Sequence, residues 1–164
     1  MAKKRVFETV SFYAVALATF LLDQFTKLAI VTAIAFGHSR PLVDGLLHLT
    51  HVRNDGAAWS LAAGHVGVLA LVSTGVVLGL LAFMHARKPD DPLLVLGVAL
   101  LVGGALGNLV DRVALGYVRD MIDVRWHGAN VFPIFNVADM GVFFGVALLL
   151  LQQARQPAGS RLAP

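Results

Sequence analysis

The chain has 164 residues, of which 57% are hydrophobic and only 14% charged. A soluble domain of this size carries roughly 25% charged residues, so 13 Lys+Arg and 10 Asp+Glu could not cover its surface. The apolar content excludes disorder, and the lack of cysteine excludes a disulfide scaffold, thiol proteases, CxxC redox centres and cysteine-ligated zinc. What remains is a small membrane protein.

Four apolar stretches reach the ~20-residue length that a bilayer span requires, at about 7–27, 66–84, 93–110 and 132–151. Basic residues flank them unevenly. Lys3, Lys4 and Arg5 precede the first, Arg87 and Lys88 follow the second, and Arg155 and Arg161 follow the fourth. These places share one side of a chain with an even number of spans, so the positive-inside rule puts both termini in the cytoplasm. The same placement accounts for the net charge of +3, and no nucleic-acid partner is expected. The basic start followed by an apolar run reads as a retained signal anchor rather than a cleaved leader.

No linker or low-complexity stretch divides the sequence, which reads as one domain over 1–164. The last three spans each hold a Gly-x-x-x-Gly, at Gly75/Gly79, Gly103/Gly107 and Gly141/Gly145. Such spacing lets helix backbones approach, so all three pairs are expected to pack the bundle. In the outward loops, residues 46–52 and 118–126 mix apolar, β-branched and polar groups as short surface strands do. Residues 56–63 read as a short amphipathic surface helix with Trp59 at headgroup level. The expected fold class is therefore an all-α membrane protein: four transmembrane helices, a small β-rich extracytoplasmic cradle and one surface helix.

Ionisable groups at membrane depth are costly, so each is a functional candidate. Asp23 falls about one turn inside the outward end of the first span, with Lys27 four residues on. Asp111 and Arg112 lie at the outward end of the third, and Asp139 about two turns inside that of the fourth. Topology brings them to one depth near the outer leaflet, with Asn54, Asp55, Asp120 and Asp123 in the loops above. Simpler roles compete: an i,i+4 ion pair for Asp23 and Lys27, an anchor for Asp111 and Arg112, turn chemistry for Asn54. Asp139 has no basic neighbour on its own helix. His48 and His51 lack acidic partners at ligand spacing, and no serine has a His-and-acid arrangement.

Two carboxylates sharing a proton are then the simplest hydrolytic machine available. In contact at low dielectric they cannot both ionise easily, so one holds a proton and donates it while the other activates water. Asp139 supplies one member. For the other, Asp120 and Asp123 compete.

The segments Asn54-Asp55-Gly56-Ala57-Ala58-Trp59-Ser60, Gly103-Gly104-Ala105-Leu106-Gly107-Asn108-Leu109-Val110-Asp111-Arg112 and Phe135-Asn136-Val137-Ala138-Asp139 resemble motifs of bacterial lipoprotein signal peptidase, or signal peptidase II. Leu22-Asp23-Gln24-x-x-Lys27 matches too, and the likeness runs from about residue 17 to 151 in order and spacing. The resemblance implies an aspartyl endopeptidase of the bacterial cytoplasmic membrane, with no metal and no cofactor. Its partners would be membrane lipids and prolipoproteins, cut just before a cysteine carrying diacylglycerol, and a monomer is expected.

Carried over, the catalytic pair would be Asp120 and Asp139. Asn54, Asn108, Arg112 and Asn136 match positions that line the pocket or hold substrate and catalytic groups. Asp23 and Asp111 match supporting acidic positions, and Lys27, Gly56 and Ala138 stand in the same motifs. Arg119 and Asp123 stand where the family usually has apolar residues, Trp59 replaces a usual Phe, and Asp55 a usual uncharged residue. Strand alternation favours Asp120, which would share a face with Ile122 and Val124 while Asp123 points away with Met121. Arg119 could pair with Asp123 or meet a lipid phosphate. The competing class is a proton-coupled small transporter, but the inner halves of all four spans are apolar and offer no path.

Overall fold

The computed structural model describes residues 2–56 and 65–155. In chain order it has α1 (Ala2–Ala33), β1 (Ser39–Val43), β2 (Leu47–Asn54), α2 (Val66–Arg87), α3 (Pro92–Leu115), β3 (Val118–Trp126), β4 (Ala129–Asn130) and α4 (Val137–Arg155). All four helices, α1 over Glu8–Ala33, are long and apolar enough to cross a membrane. The surface helix expected over 56–63, Trp59 included, lies outside the described residues apart from Gly56.

Two helix boundaries differ from the sequence expectation. α1 continues past residue 27 to Ala33, because Ile30 and Ile34 dock beneath the sheet against Met121. Asp23 therefore lies well inside the helix instead of one turn from its end. α4 begins at Val137, not near 132. Residues 132–136 are not helical: Pro133 has no N–H to give a helix, and Phe135 exchanges backbone hydrogen bonds with Ile122 (2.8 and 3.1 Å). Asp139 consequently stands in the first turn of α4, not two turns inside.

α3 is the central helix, packed on α1, α2 and α4. Asp91 caps its start, accepting from the N–H groups of Leu93 and Leu94 at 2.9 and 3.2 Å, with Pro92 as its first residue. Its core contacts join Val95, Val98, Ala99 and Val102 to Phe12 and Ala16 of α1. Glycine decides how closely the helices approach. A Cβ at Gly104 would strike the Ala138 carbonyl oxygen of α4, and one at Gly103 would meet the Ala16 carbonyl of α1 at 2.5 Å.

The pair on α2 behaves otherwise. A Cβ at Gly75 or Gly79 would meet nothing within 4 Å, so these glycines do not pack the bundle as expected. α2 buries Val77 and leaves Leu71, Val72, Val76 and Leu78 exposed.

The strands form one antiparallel sheet in the order β1-β2-β3-β4. It lies at the end of the bundle where α1 and α3 finish and α4 begins. β2 and β3 match the two strands expected from sequence. β1, with Pro41 on an outer strand, and the two-residue β4 were not expected. An extra residue in β2 separates the pairs Leu49↔Ile122 and Val52↔Asp120. Such a bulge reverses the alternation of side chains. Thr50 thus shares a face with Asp123, and Asn54 shares the other with Asp120.

Candidate active site

The site is built at the junction of α4 with the sheet, and local capping chemistry places its first carboxylate. Asn136 precedes the first turn of α4, and its Oδ1 accepts the backbone N–H of Asp139 at 2.9 Å. In return Asp139 Oδ2 accepts the backbone N–H of Asn136 at 3.1 Å. This reciprocal arrangement is a capping box written Asn-x-x-Asp. The helix N-terminus adds its favourable dipole to the Asp139 carboxylate.

The second carboxylate comes from β3. Asp120 is 2% exposed, with Oδ1 held by Asn136 Nδ2 at 2.6 Å and Oδ2 by Asn54 Nδ2 at 2.9 Å. Asn54 is aimed by its own turn, since its Oδ1 accepts the Gly56 N–H at 3.0 Å. Asn136 therefore holds both carboxylates, one by its amide side chain and one by its backbone. Burial, and then the charge of neighbouring Asp139, push the Asp120 carboxyl up to about 7, against the pull of the Asn54 and Asn136 hydrogen bonds.

Beneath the pair lies a buried polar network. Asn108 of α3 donates from Nδ2 to Asp139 Oδ1 at 2.8 Å, and its Oδ1 accepts from Lys27 Nζ (2.9 Å) and Asn136 Nδ2 (3.1 Å). Lys27 and Asp23 are fully buried and paired at 2.8 Å, the i,i+4 ion pair that spacing allowed. The other Asp23 oxygen accepts the Ala138 N–H at 2.9 Å, tying α1 to the first turn of α4.

Asp111 does not pair with Arg112. Its partners are Lys27 at 3.4 Å and Arg119, whose Nη2 lies 2.6 Å away. Arg119 thus pairs with Asp111, not with Asp123 as one sequence alternative had it. Gln24, which sequence reasoning quoted but did not weigh, joins Asp23, Asp111 and Arg119.

Arg112 instead lines a groove of about 810 Å³ together with Asn54, Asn108 and Asp139. Its apolar wall includes Val118, Val124, Phe132, Ile134, Phe135, Met140 and Phe143. The Arg112 Nε is buried with no hydrogen-bond partner among the described residues. A buried donor left free is costly, so it is available to a carbonyl or carboxylate entering the groove.

Asp123 stands apart, on the opposite face of β3. Fully buried, it accepts from Thr50 Oγ1 (2.8 Å), Asn130 Nδ2 (2.7 Å) and the Arg125 guanidinium (2.5 Å). It fastens strands. His51 is likewise structural, its Nδ1 against the Ile34 carbonyl at 2.9 Å. Among the described residues no three His, Asp or Glu side chains group closely enough to hold a metal ion.

A family model described as signal peptidase (SPase) II matches residues 15–155. The lipoprotein signal peptidase of Moorella thermoacetica is 41% identical over 150 residues, 92% of this chain and 96% of that protein. The one from Bacillus subtilis strain 168 is 36% identical over 141 residues, 86% of this chain and 91% of its own length. A solved structure described as a bacterial membrane enzyme superposes with a TM-score of 0.84 at 30% identity, covering 94% of this chain and 93% of its own. A second so described gives 0.80 at 31% identity, covering 90% and 94%. None of this supports the transporter alternative. The chain belongs to the signal peptidase II family, proteases of aspartic peptidase family A8, and is a multi-pass bacterial membrane protein.

Proposed function

We propose that this signal peptidase II removes signal peptides from prolipoproteins with Asp120 and Asp139 as its catalytic pair, cutting before a cysteine that already carries diacylglycerol. The observation that carries the assignment is Asn136 holding both carboxylates, its amide on Asp120 at 2.6 Å and its backbone N–H on Asp139 at 3.1 Å. Asp120, raised to about 7, keeps its proton well above the usual carboxylate range, in roughly half of the molecules at neutral pH, and is the acid. Asp139 is the base. It takes a proton from water as the hydroxyl attacks the scissile carbonyl carbon, while Asp120 gives its proton to the carbonyl oxygen. In the breakdown, Asp139 passes its proton to the leaving nitrogen, and Asp120 takes one back as the new carboxyl forms.

The free Arg112 donor and the amide of Asn54 would hold substrate carbonyls beside the pair. The apolar groove would take the signal peptide. The basic segments at 3–5, 87–88 and 155 lie at the end of the bundle away from the sheet, which supports cytoplasmic termini and a site near the outer leaflet. There the acyl chains of the modified cysteine reach the pair. All these groups come from one chain, so a monomer suffices, with membrane lipid and prolipoprotein as partners and no nucleic acid or metal.

The test is cleavage of a lipid-modified and an unmodified precursor by purified protein, with and without chelator. Wild type is expected to cut the modified precursor alone, with chelator present or absent. Asp120→Asn and Asp139→Asn are expected to stay folded and cut neither. Normal cleavage by either variant overturns the assignment.

A further inference from the structure

Arg119 precedes Asp120 on β3 and turns to the opposite side, into the bundle. Its guanidinium grips Asp111 as a fork, Nη2 to Oδ1 at 2.6 Å and Nε to Oδ2 at 3.1 Å, and Nη2 also donates to Gln24 Oε1 at 3.0 Å. Its backbone N–H reaches the same Asp111 Oδ2 at 3.0 Å. Its carbonyl accepts from Asn136 Nδ2 at 3.4 Å, the amide that holds Asp120. The start of β3 is thereby fastened to α1, α3 and the cap of α4 at the residue next to Asp120.

Charge gives this fastening a second consequence. Asp23, Asp111 and Lys27 are all fully buried, and without Arg119 they would leave two carboxylates to one cation. Lys27 Nζ is 2.8 Å from Asp23, 2.9 Å from Asn108 Oδ1 and 3.4 Å from Asp111. Because Arg119 engages both oxygens of Asp111, Lys27 is free to lean toward Asn108. With Lys27 and Asn136 both donating to Asn108 Oδ1, the Asn108 amide must turn its Nδ2 to Asp139. An uncompensated Asp111 would draw Lys27 off Asn108, since a buried charge without a partner is far costlier than a stretched hydrogen bond.

We infer that Arg119 is a positioning residue of the reaction: by neutralising Asp111 it keeps Lys27 on Asn108, and so keeps Asn108 on Asp139. This rests on Asp120 and Asp139 being the catalytic pair. Losing an outer partner that orients a metal ligand costs about 10- to 100-fold, and we expect a loss of the same order here. Because Asp139 would act on the attacking water and not hold the substrate, the effect belongs in kcat and not in substrate affinity.

The experiment compares kcat and KM for a lipid-modified precursor in purified full-length wild type, Arg119→Met, Arg119→Lys and the double variant Arg119→Met/Asp111→Asn. Arg119→Met is expected to lose about 10- to 100-fold in kcat with KM within about twofold of wild type. Arg119→Lys, which restores the charge but not the fork, should recover part of the loss. The double variant should be faster than Arg119→Met, because residue 111 no longer carries an uncompensated charge to draw Lys27 from Asn108, and Lys27 keeps its pairing with Asp23 at 2.8 Å. Wild-type kcat in Arg119→Met, a loss confined to KM, or a double variant no faster than the single one overturns the inference. Should Arg119→Met fail to fold, the double variant carries the test against wild type: a kcat within about tenfold supports the inference, and a larger loss overturns it. Asp139→Asn is run in parallel. If it cleaves normally, the catalytic assignment itself has failed; if it is dead while Arg119→Met matches wild type, this inference alone has.

Discussion

Asn136 and Asp139 cap each other: the side chain of each accepts the backbone N–H of the other, at 2.9 and 3.1 Å. A motif that starts a helix has become the device that aims a carboxylate. Because the Asn136 amide also reaches Asp120 at 2.6 Å, Asn136→Ala should cost more than a cap. Loss of an N-cap destabilises a protein by about 1 kcal/mol, and displacing a reacting group by about 1 Å costs on the order of 10²-fold in rate. We expect a small fall in thermal midpoint and roughly a 10²-fold fall in kcat. Denaturation in detergent and single-turnover cleavage measure the two separately.

The raised Asp120 carboxyl sets the pH response. Its ordinary value is 3.8 and its folded value about 7. In its proposed role as acid, Asp120 must hold its proton, so kcat should fall as pH rises through about 7. Stability should move the same way. Between 3.8 and about 7 the folded state keeps a proton that the unfolded state has released, so folding weakens as pH rises across that window. Asp120→Asn should abolish this dependence. Thermal unfolding of both proteins at pH ~5 and ~8 checks the sign.

Asp123 lies close in sequence to Asp120 but serves the sheet. It binds Thr50 of β2, Asn130 of β4 and Arg125 on its own strand, and Arg125 reaches Ser39 of β1 at 3.2 Å. Removing the charge leaves Arg125 with a weaker partner at a buried point, so Asp123→Asn should destabilise by about 1–3 kcal/mol. At temperatures where the variant is folded its kcat should stay within about tenfold of wild type. Cleavage and melting measured on the same preparation decide this. A stable but inactive Asp123→Asn would overturn the proposed pairing of Asp120 with Asp139 in favour of Asp123.

Much of this architecture was legible because lipid makes polar residues conspicuous. Asp23, Lys27, Asp111 and Asp139 stood out in apolar stretches, and the structure gathers them with Asn54, Asn108 and Asn136 at the sheet end of the bundle. Alternation along β3 separated Asp120 from Asp123. What hydropathy could not see was where helices begin and end. Phe132 to Phe135 are apolar enough to join a span, yet the Asn-x-x-Asp capping signal starts α4 at Val137. Charge pairing was equally hidden, because the partners of Asp111 come from α1 and β3 and not from Arg112 beside it. The bulge that turns Asn54 toward Asp120 left no mark in composition.

Glycine spacing was the least reliable signal, and substitution should expose the difference. A Cβ at Gly107 would strike the Asp23 Oδ2 and meet the Ala138 Cβ at 3.2 Å. That carboxylate cannot retreat easily, being held by Lys27 at 2.8 Å on one oxygen and by the Ala138 N–H at 2.9 Å on the other. Overpacking a tight interior costs about 1–3 kcal/mol, and here the strain falls on the network beneath Asp139. Gly107→Ala should therefore lower both stability and kcat. Gly75→Ala adds a methyl where nothing lies within 4 Å. It should keep kcat unchanged and gain up to ~1 kcal/mol from helix propensity. Melting and turnover of the two variants side by side test whether each glycine is there for contact, and equal behaviour would refute the distinction.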